Sequence, residues 1–509
     1  MSMTQASAQY FDQVAGQWDD LRTGFFREEV REAAIRKAYL RPEMVVADVG
    51  AGTGFIAMGL APLVQKVYVL DGSPAMLDES RKNLSAFTNV EYRQGDSNAL
   101  PLKESSVDAV FANMYLHHCP DPAGAIAEMV SVLKPAGRLV ITDLDTHSYT
   151  WLKEEMADEW LGFEREQIRA WFEQAGLVNV IVDCTGQSCC AESANPAMVD
   201  EKGREAKISI FLATGTRRMD MREAVQENYA AVAQSGSVCG CSSAVGAEGE
   251  CCSANSSSGS SCCSGTKYED VAFTTGYSPA ELSAAPKEAA EISLGCGNPL
   301  ALAGLKPGEV VLDIGSGGGL DAFLAARKVG PTGRVIGVDM TPAMLERARV
   351  SAQRNQIANV EFRLGFAEEL PVTDGEVDII ISNCVINLTE DKGHVFREAF
   401  RVLKPGGRLE VSDMVTSGPV PLELRMSAAG WAECVSGALP EQEYLDLIAQ
   451  AGFEHINTRR SASGGKVADA DVYSAIVSAR KPGGETSLDE NIAPSTAKSS
   501  SCGCSGCCG

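Results

Sequence analysis

The sequence predicts two α/β domains in tandem, each a mostly parallel sheet covered by helices on both faces. Three observations carry that prediction. Val45–Gly54 (VVADVGAGTG) and Val310–Gly319 (VVLDIGSGGG) are two copies of one strand and glycine turn. Around each copy, apolar runs of strand length alternate with amphipathic stretches of helix length, the pattern of strands joined by helical crossovers. A chain of 509 residues is also too long for one core, because a domain averages roughly 150 residues.

The elements of the two copies match in order. After the glycine turn, VYVLDGSPAML with Asp71 answers VIGVDMTPAML with Asp339, a second strand running into a second helix. NVEYRQGD with Gly95 then answers NVEFRLGF with Gly365, and VDAVFANMYL with Asp108 answers VDIIISNCVI with Asp378. VLKPAGRL from Val132 answers VLKPGGRL from Val402, and Gln174-Ala-Gly answers Gln450-Ala-Gly. The expected domains are residues 1–217 and 218–482. Residues 234–265 and 483–509 are rich in Ser, Gly and Cys and hold too little apolar surface to offset their ordering entropy. The first is expected to be a flexible linker or a segment that orders on binding, the second a disordered tail.

A formal net charge of −24 and a pI near 4.7 argue against a nucleic-acid or anionic-membrane partner, since phosphate binding needs clustered Lys and Arg. Small molecules are the expected ligands. The opening MSMTQASAQYFDQ has no basic stretch leading into an apolar one, so a cytoplasmic location is expected. In a reducing compartment, 17 cysteines are expected as free thiols, redox pairs or soft-ion ligands rather than structural disulfides.

Each glycine turn reads Asp-x-Gly-x-Gly-x-Gly and opens a helix, so that backbone amides and a helix N-terminus approach a ligand closely. About 20 residues further on, a second strand ends in an acid, Asp71 or Asp339, placed to accept both hydroxyls of a ribose. A nicotinamide dinucleotide would use the same logic. The order of motifs argues against it: the Gly95-Asp96 step, the VDAVFAN and VDIIISN strands and the LKPxGRL element together resemble the class I S-adenosylmethionine-dependent methyltransferases, over nearly all of both domains. That resemblance implies a Rossmann-like fold with S-adenosylmethionine as cofactor. It would be lined in the first domain by Asp48, Gly50, Gly52 and Gly54, with Asp71 on the ribose and Asp96 on the adenine amine. In the second domain it implies Asp313, Gly315, Gly317, Gly319, Asp339, Met340 and Asn383, with Phe366 standing where the adenine acid is expected and offering stacking instead. The stretch Tyr10 to Asp20 (YFDQVAGQWDD) is expected to fold as a helix over the cofactor, where Tyr10, Phe11 or Trp18 would face the sulfonium cation or simply pack.

What differs between the copies is thiol chemistry. Met114 aligns with Cys384 at the end of the fourth strand, the ligand side of an open α/β sheet. Counting back from Gln-Ala-Gly, Asp158 aligns with Cys434, and Cys296 (SLGCGNP) has no counterpart in the first domain. A single such cysteine would read as a small buried hydrophobe. Three from different loops at one methyl-donor site suit a soft, three-coordinate ion such as trivalent arsenic.

At these residues LGCGNP, RVIGVDMTPAML, ISNCVINL and WAECVSGALPEQEYL look like the arsenite methyltransferases, from about Arg222 to Lys481. The resemblance implies that Cys384 and Cys434 hold As(III), with Cys296 as third ligand and redox partner. An upstream cysteine of the family would fall on Cys262 or Cys263. It further implies in-line attack of the arsenic lone pair on the methyl carbon, thiols of lowered pKa, and a cellular reductant of thioredoxin or glutathione type acting on arsenite or methylarsenite turnover.

The first domain keeps the cofactor motifs and lacks the aligned thiols. Its FDQVAGQWDD, YLHHCPDP and DCTGQSCCAES segments resemble methyltransferases of the quinone C-methyltransferase type. His117 and His118 are candidates for a base or a ligand, against a packing role, and Cys184, Cys189 and Cys190 are candidates for passing metalloid onward. Two other readings compete: a tandem methyltransferase acting on an organic small molecule, and a thiol-rich protein that buffers soft metals.

Overall fold

The computed structural model describes residues 5–95, 99–192, 205–235, 277–290, 297–301, 303–427, 430–431 and 434–483. The chain divides into two compact units between Met219 and Asp220. The first unit holds strands β1 (Val45–Val49), β2 (Lys66–Asp71), β3 (Val90–Gln94), β4 (Val107–Asn113), β5 (Leu133–Leu144), β6 (Leu177–Glu192) and β7 (Glu205–Arg217). They form one sheet in the order β3-β2-β1-β4-β5-β7-β6. The second unit repeats this with β8 (Val310–Ile314), β9 (Arg334–Asp339), β10 (Val360–Leu364), β11 (Val377–Asn383), β12 (Leu403–Thr416), a two-residue β13 (Leu439–Pro440), β14 (Glu454–Val467) and β15 (Ala470–Arg480). Its order is β10-β9-β8-β11-β12-β15-β14, with β13 beside β12.

Successive residues of β1 explain why the sheet needs cover on both sides. Val46 packs into a cluster with Phe55, Leu60 and Phe111, while its neighbours Ala47 and Val49 pack into another with Leu116, Ile126 and Phe172. An alternating strand that is apolar on both faces is stable only between two layers of helices. Burial of each Val, Leu or Phe side chain contributes roughly 1.5–3 kcal/mol. In both sheets the central strand pairs in parallel with a strand on each side, β1 with β2 and β4, β8 with β9 and β11. Chain order therefore reverses there, and the crevice beyond the strand ends is where an α/β sheet binds ligands.

The repeated LKPxG motif has a structural meaning. Lys134 Nζ lies 2.8 Å from Asp108 Oδ1, and the other oxygen of Asp108 accepts the Val45 amide at 2.8 Å. Lys404, Asp378 and Val310 repeat this at 2.8 and 2.9 Å. The pair pins the starts of three central strands, so those residues serve the fold and not the chemistry. Among the described residues no helix is long and apolar enough to cross a membrane.

Candidate active site

The two glycine turns have the same geometry. Gly54 and Gly319 enter their helices at φ of 91° and 92°, a left-handed conformation that a side chain resists. In the middle of each turn the backbone lies open: a Cβ on Gly317 would meet nothing within 4 Å, and one on Gly52 only the Trp18 indole nitrogen at 3.7 Å. Each turn is clasped by the acid of the next strand. Asp71 accepts from the amides of Gly52 and Ser73, both at 2.8 Å, and Asp339 accepts from Gly317 at 2.9 Å and Thr341 at 2.8 Å.

Asp313 and Asp48 stand beneath the turns. Burial, then the charges of Asp321 and Asp339, push the Asp313 carboxyl well above its ordinary range; burial raises Asp48 to about 7. Asp313 Oδ2 and the Ser316 hydroxyl are buried without a hydrogen-bond partner. Buried acceptors of this kind suit a ligand with cationic and donor groups, and S-adenosylmethionine, with its ammonium, sulfonium and ribose hydroxyls, fits them. Asp313, the Gly315–Gly319 backbone and Asp339 would hold it in the second unit, and Asp48, Gly50–Gly54 and Asp71 in the first. Bound there, the cofactor supplies an electrophilic methyl group.

The helix expected over the first turn is present as Gln5–Val14, a short 3-10 turn and Trp18–Phe25. It is tied down by Ser73 Oγ donating to Asp12 at 2.5 Å and Thr53 Oγ1 donating to Asp19 at 2.7 Å. Trp18 sits over Gly52, whereas Phe11 packs edge-on against His118 at 5.0 Å.

Other candidate positions fall less simply. Phe366 is partly exposed and carries the Arg222 guanidinium over its ring at 4.8 Å, so only its other face is open to stacking. The Met340 carbonyl accepts from Gln226 Nε2 at 2.8 Å. Asn383 is a structural node: its amide nitrogen donates to the Gly297 carbonyl at 2.7 Å and approaches Tyr277 and Asp321 at 3.0 and 3.2 Å, while its oxygen accepts the Gly297 amide at 3.2 Å. Asp96, Cys262, Cys263, Cys296 and the cysteine-rich tail lie outside the described residues.

Cys384 and Cys434 come together. Cys384 follows β11 in a left-handed conformation, φ 58°, with its amide donating to Ser412 O at 2.7 Å. The Cys434 thiol, also on a left-handed residue (φ 61°), approaches the Cys384 carbonyl at 3.5 Å. The two are 3% and 7% exposed. Cys384 is disulfide-bonded, whereas Cys119, Cys184, Cys189, Cys190 and Cys434 are free thiols.

The expectation of lowered thiol pKa values fails at Cys434. Burial and the nearby Asp413 push that thiol up to about 12, against the opposing pull of a hydrogen bond from Tyr229 and the charge of Lys392. Tyr229 itself escaped the sequence analysis. It lies on the helix Arg222–Ser235, the opening helix of the second unit as Gln5–Val14 is of the first, and that parallel was the available signal.

In the first unit the aligned crevice carries different groups. Met114 takes the same left-handed turn, φ 52°, with its amide on Thr142 O at 2.8 Å. His117, His118 and Asp158 are buried there, with Asp143 behind His117 at 2.6 Å. Burial lowers the His117 pKa, but the charges of Asp143 and Asp158 outweigh it and hold the imidazolium up to about 9; burial and His117 press His118 down to about 3.

Two acid-clasped glycine turns at the switch points of two mostly parallel sheets define a pair of class I methyltransferase domains. Models of a methyltransferase domain match residues 47–141 and 305–452. An arsenite methyltransferase of Halobacterium salinarum is 41% identical over 275 residues, 52% of this chain and 67% of that protein. One from Aquipseudomonas alcaligenes is 42% identical over 196 residues, 36% of this chain and 56% of that protein. The chain belongs to the arsenite methyltransferase family. A chloroplast 2-methyl-6-phytyl-1,4-hydroquinone methyltransferase of rice is 31% identical over 170 residues, 33% of this chain and 51% of that protein.

Proposed function

We propose that this protein transfers methyl groups from S-adenosylmethionine to As(III) held on Cys384 and Cys434, with Cys296 as a third sulfur for arsenite. The observation that supports this most is the pairing of the two buried sulfur residues beside an acid-clasped glycine turn, at positions where the other copy has Met114 and Asp158.

The high pKa of Cys434 does not prevent capture. Each As–S bond forms by condensation: sulfur bonds to arsenic, an As–OH bond breaks, and the hydroxyl leaves as water with the thiol proton. The thiolate is nevertheless the nucleophile, so capture by Cys434 should accelerate as pH rises, close to tenfold per unit while pH stays well below 12. A Tyr229→Phe variant loses the hydrogen bond that favours the thiolate. Its thiol pKa should rise and its capture should slow several-fold at any fixed neutral pH, with the same slope. Stopped-flow quenching of Trp431 would measure this, and an unchanged capture rate would remove Tyr229 from the site.

Transfer itself asks little proton chemistry of the protein. The arsenic lone pair would attack the methyl carbon as the carbon–sulfur bond breaks and S-adenosylhomocysteine leaves with that electron pair, and the chain's contribution is to hold arsenic and carbon in line at roughly 3–3.5 Å in a dry crevice. Because a methyl cation is added without electrons, arsenic rises formally from As(III) to As(V). Two thiolates returning it to As(III) form a disulfide, and the disulfide at Cys384 suits that step. A cellular dithiol of thioredoxin or glutathione type would reopen it, which fits a cytoplasmic setting.

The test is incubation of the full chain with arsenite and labelled S-adenosylmethionine, with and without a dithiol reductant, followed by speciation. Methylated arsenicals should accumulate over many turnovers only with reductant. Cofactor turnover that ignores arsenite would favour an organic acceptor and overturn the proposal.

A further inference from the structure

The first unit has its own cluster of ligating side chains, built on nitrogen and oxygen. We propose that it binds a divalent first-row transition-metal ion through His117, His118 and Asp158. Each offers one ligand atom, and the three atoms lie within 4.8 Å of one another, all on buried residues. Asp158 Oδ1 stands 3.8 Å from His117 Nε2 and 3.7 Å from His118 Nδ1. Those distances are too long for hydrogen bonds. They are near the edge of a coordination shell, since two ligands about 2.0–2.1 Å from one ion at a tetrahedral angle are about 3.4 Å apart.

The surroundings are those of a metal-binding imidazole. Ligating histidines donate their second ring N–H to a carboxylate that fixes tautomer and orientation. Asp143 does this for His117 Nδ1 at 2.6 Å, leaving Nε2 toward Asp158. Asp143 is in turn immobilised by the amides of Tyr115, Leu116 and Leu144 at 3.0, 2.8 and 2.8 Å. The three ligand residues line a cavity together with the Cys189 thiol and mostly apolar side chains, among them Tyr10, Trp18, Met114 and Leu152. Open coordination positions on the ion would face that largely apolar space, the setting of a small-molecule site.

The duplication supplies an independent argument. Asp158 aligns with Cys434 and Met114 with Cys384, so one place in the fold carries sulfur ligands in one unit and nitrogen and oxygen ligands in the other. Imidazole and carboxylate select Mn, Fe, Co, Ni or Zn over the thiophilic ions that suit thiolates.

Mn(II) is the probe, because it takes nitrogen and oxygen ligands and discriminates against the chain's many thiols. Titration of the reduced full chain, with free ion read by electron paramagnetic resonance, should give one ion per chain bound in the micromolar range. Pulsed resonance on the unaltered protein should show coupling to imidazole nitrogen. Asp158→Asn and His118→Ala should each weaken binding at least tenfold, and Asp143→Asn about 10–100-fold through the orientation of His117. Absence of binding at millimolar Mn(II), a bound ion without nitrogen coupling, or affinity indifferent to Asp158→Asn in a folded variant would each overturn the assignment.

Discussion

Replacing Cys434 by serine should abolish methyl transfer to arsenite and to methylarsenite alike, by at least about 1000-fold, while S-adenosylmethionine binds as before. Correct positioning contributes on the order of 7–11 kcal/mol to well-oriented reactions, and a serine oxygen is too hard a ligand to hold As(III) in sulfur's place. Cys384→Ser should behave in the same way. Cys296→Ser should be selective: methylarsenite already carries carbon at one coordination position and needs only two protein sulfurs, so this variant should fail on arsenite and turn over methylarsenite. Speciation of products from each arsenical at saturating cofactor separates these outcomes. Robust methylarsenite turnover by the Cys434 variant would take that residue out of the metalloid site.

The converse result is expected at Asp339. Asp339→Asn should weaken S-adenosylmethionine binding about 10–100-fold and leave arsenite binding intact. A hydrogen bond to a charged group contributes roughly 1.5–3 kcal/mol, and each 1.4 kcal/mol is tenfold in affinity. Asp339 also accepts from Gly317 and Thr341, so an amide in its place would turn a donor toward at least one of these N–H groups. Calorimetry with S-adenosylhomocysteine measures the first effect and a metalloid-binding assay the second. Equal loss of both would mean that the substitution disturbed the whole crevice.

The parts legible in the sequence were those whose physics is local. A glycine turn is written in consecutive residues because each must adopt a backbone conformation that Gly tolerates. The clasping acids follow at a spacing set by one crossover helix. The proximity of Cys384 and Cys434 was legible because the other copy is an internal reference that strips away what the fold requires. Burial is not local, and there the reading failed: Asp413 and the apolar surroundings drive the Cys434 thiol upward, opposite to what a nucleophilic thiol suggests. The same holds for Tyr229 on Cys434 and for Asn383 clamping Gly297, contacts between segments 205 and 86 residues apart. His117 and His118 read more readily as packing, because Asp143, which gives the pair its polarity, lies 26 residues away on β5.

The left-handed residue after the fourth strand has a bearing on how such a chain changes over time. Met114 and Cys384 share that turn, with φ of 52° and 58°, and the same backbone hydrogen bond to the next strand, at 2.8 and 2.7 Å. A left-handed conformation costs a residue with a Cβ roughly 1–2 kcal/mol, and the framework sustains that cost whether the residue is a methionine or a cysteine. The fold thus treats the position as a socket: it fixes where a side chain stands and is indifferent to which one. Duplication lets one socket vary while its twin stays as it was, so a single codon change here replaces the side chain at the crevice without reopening the question of how the domain folds.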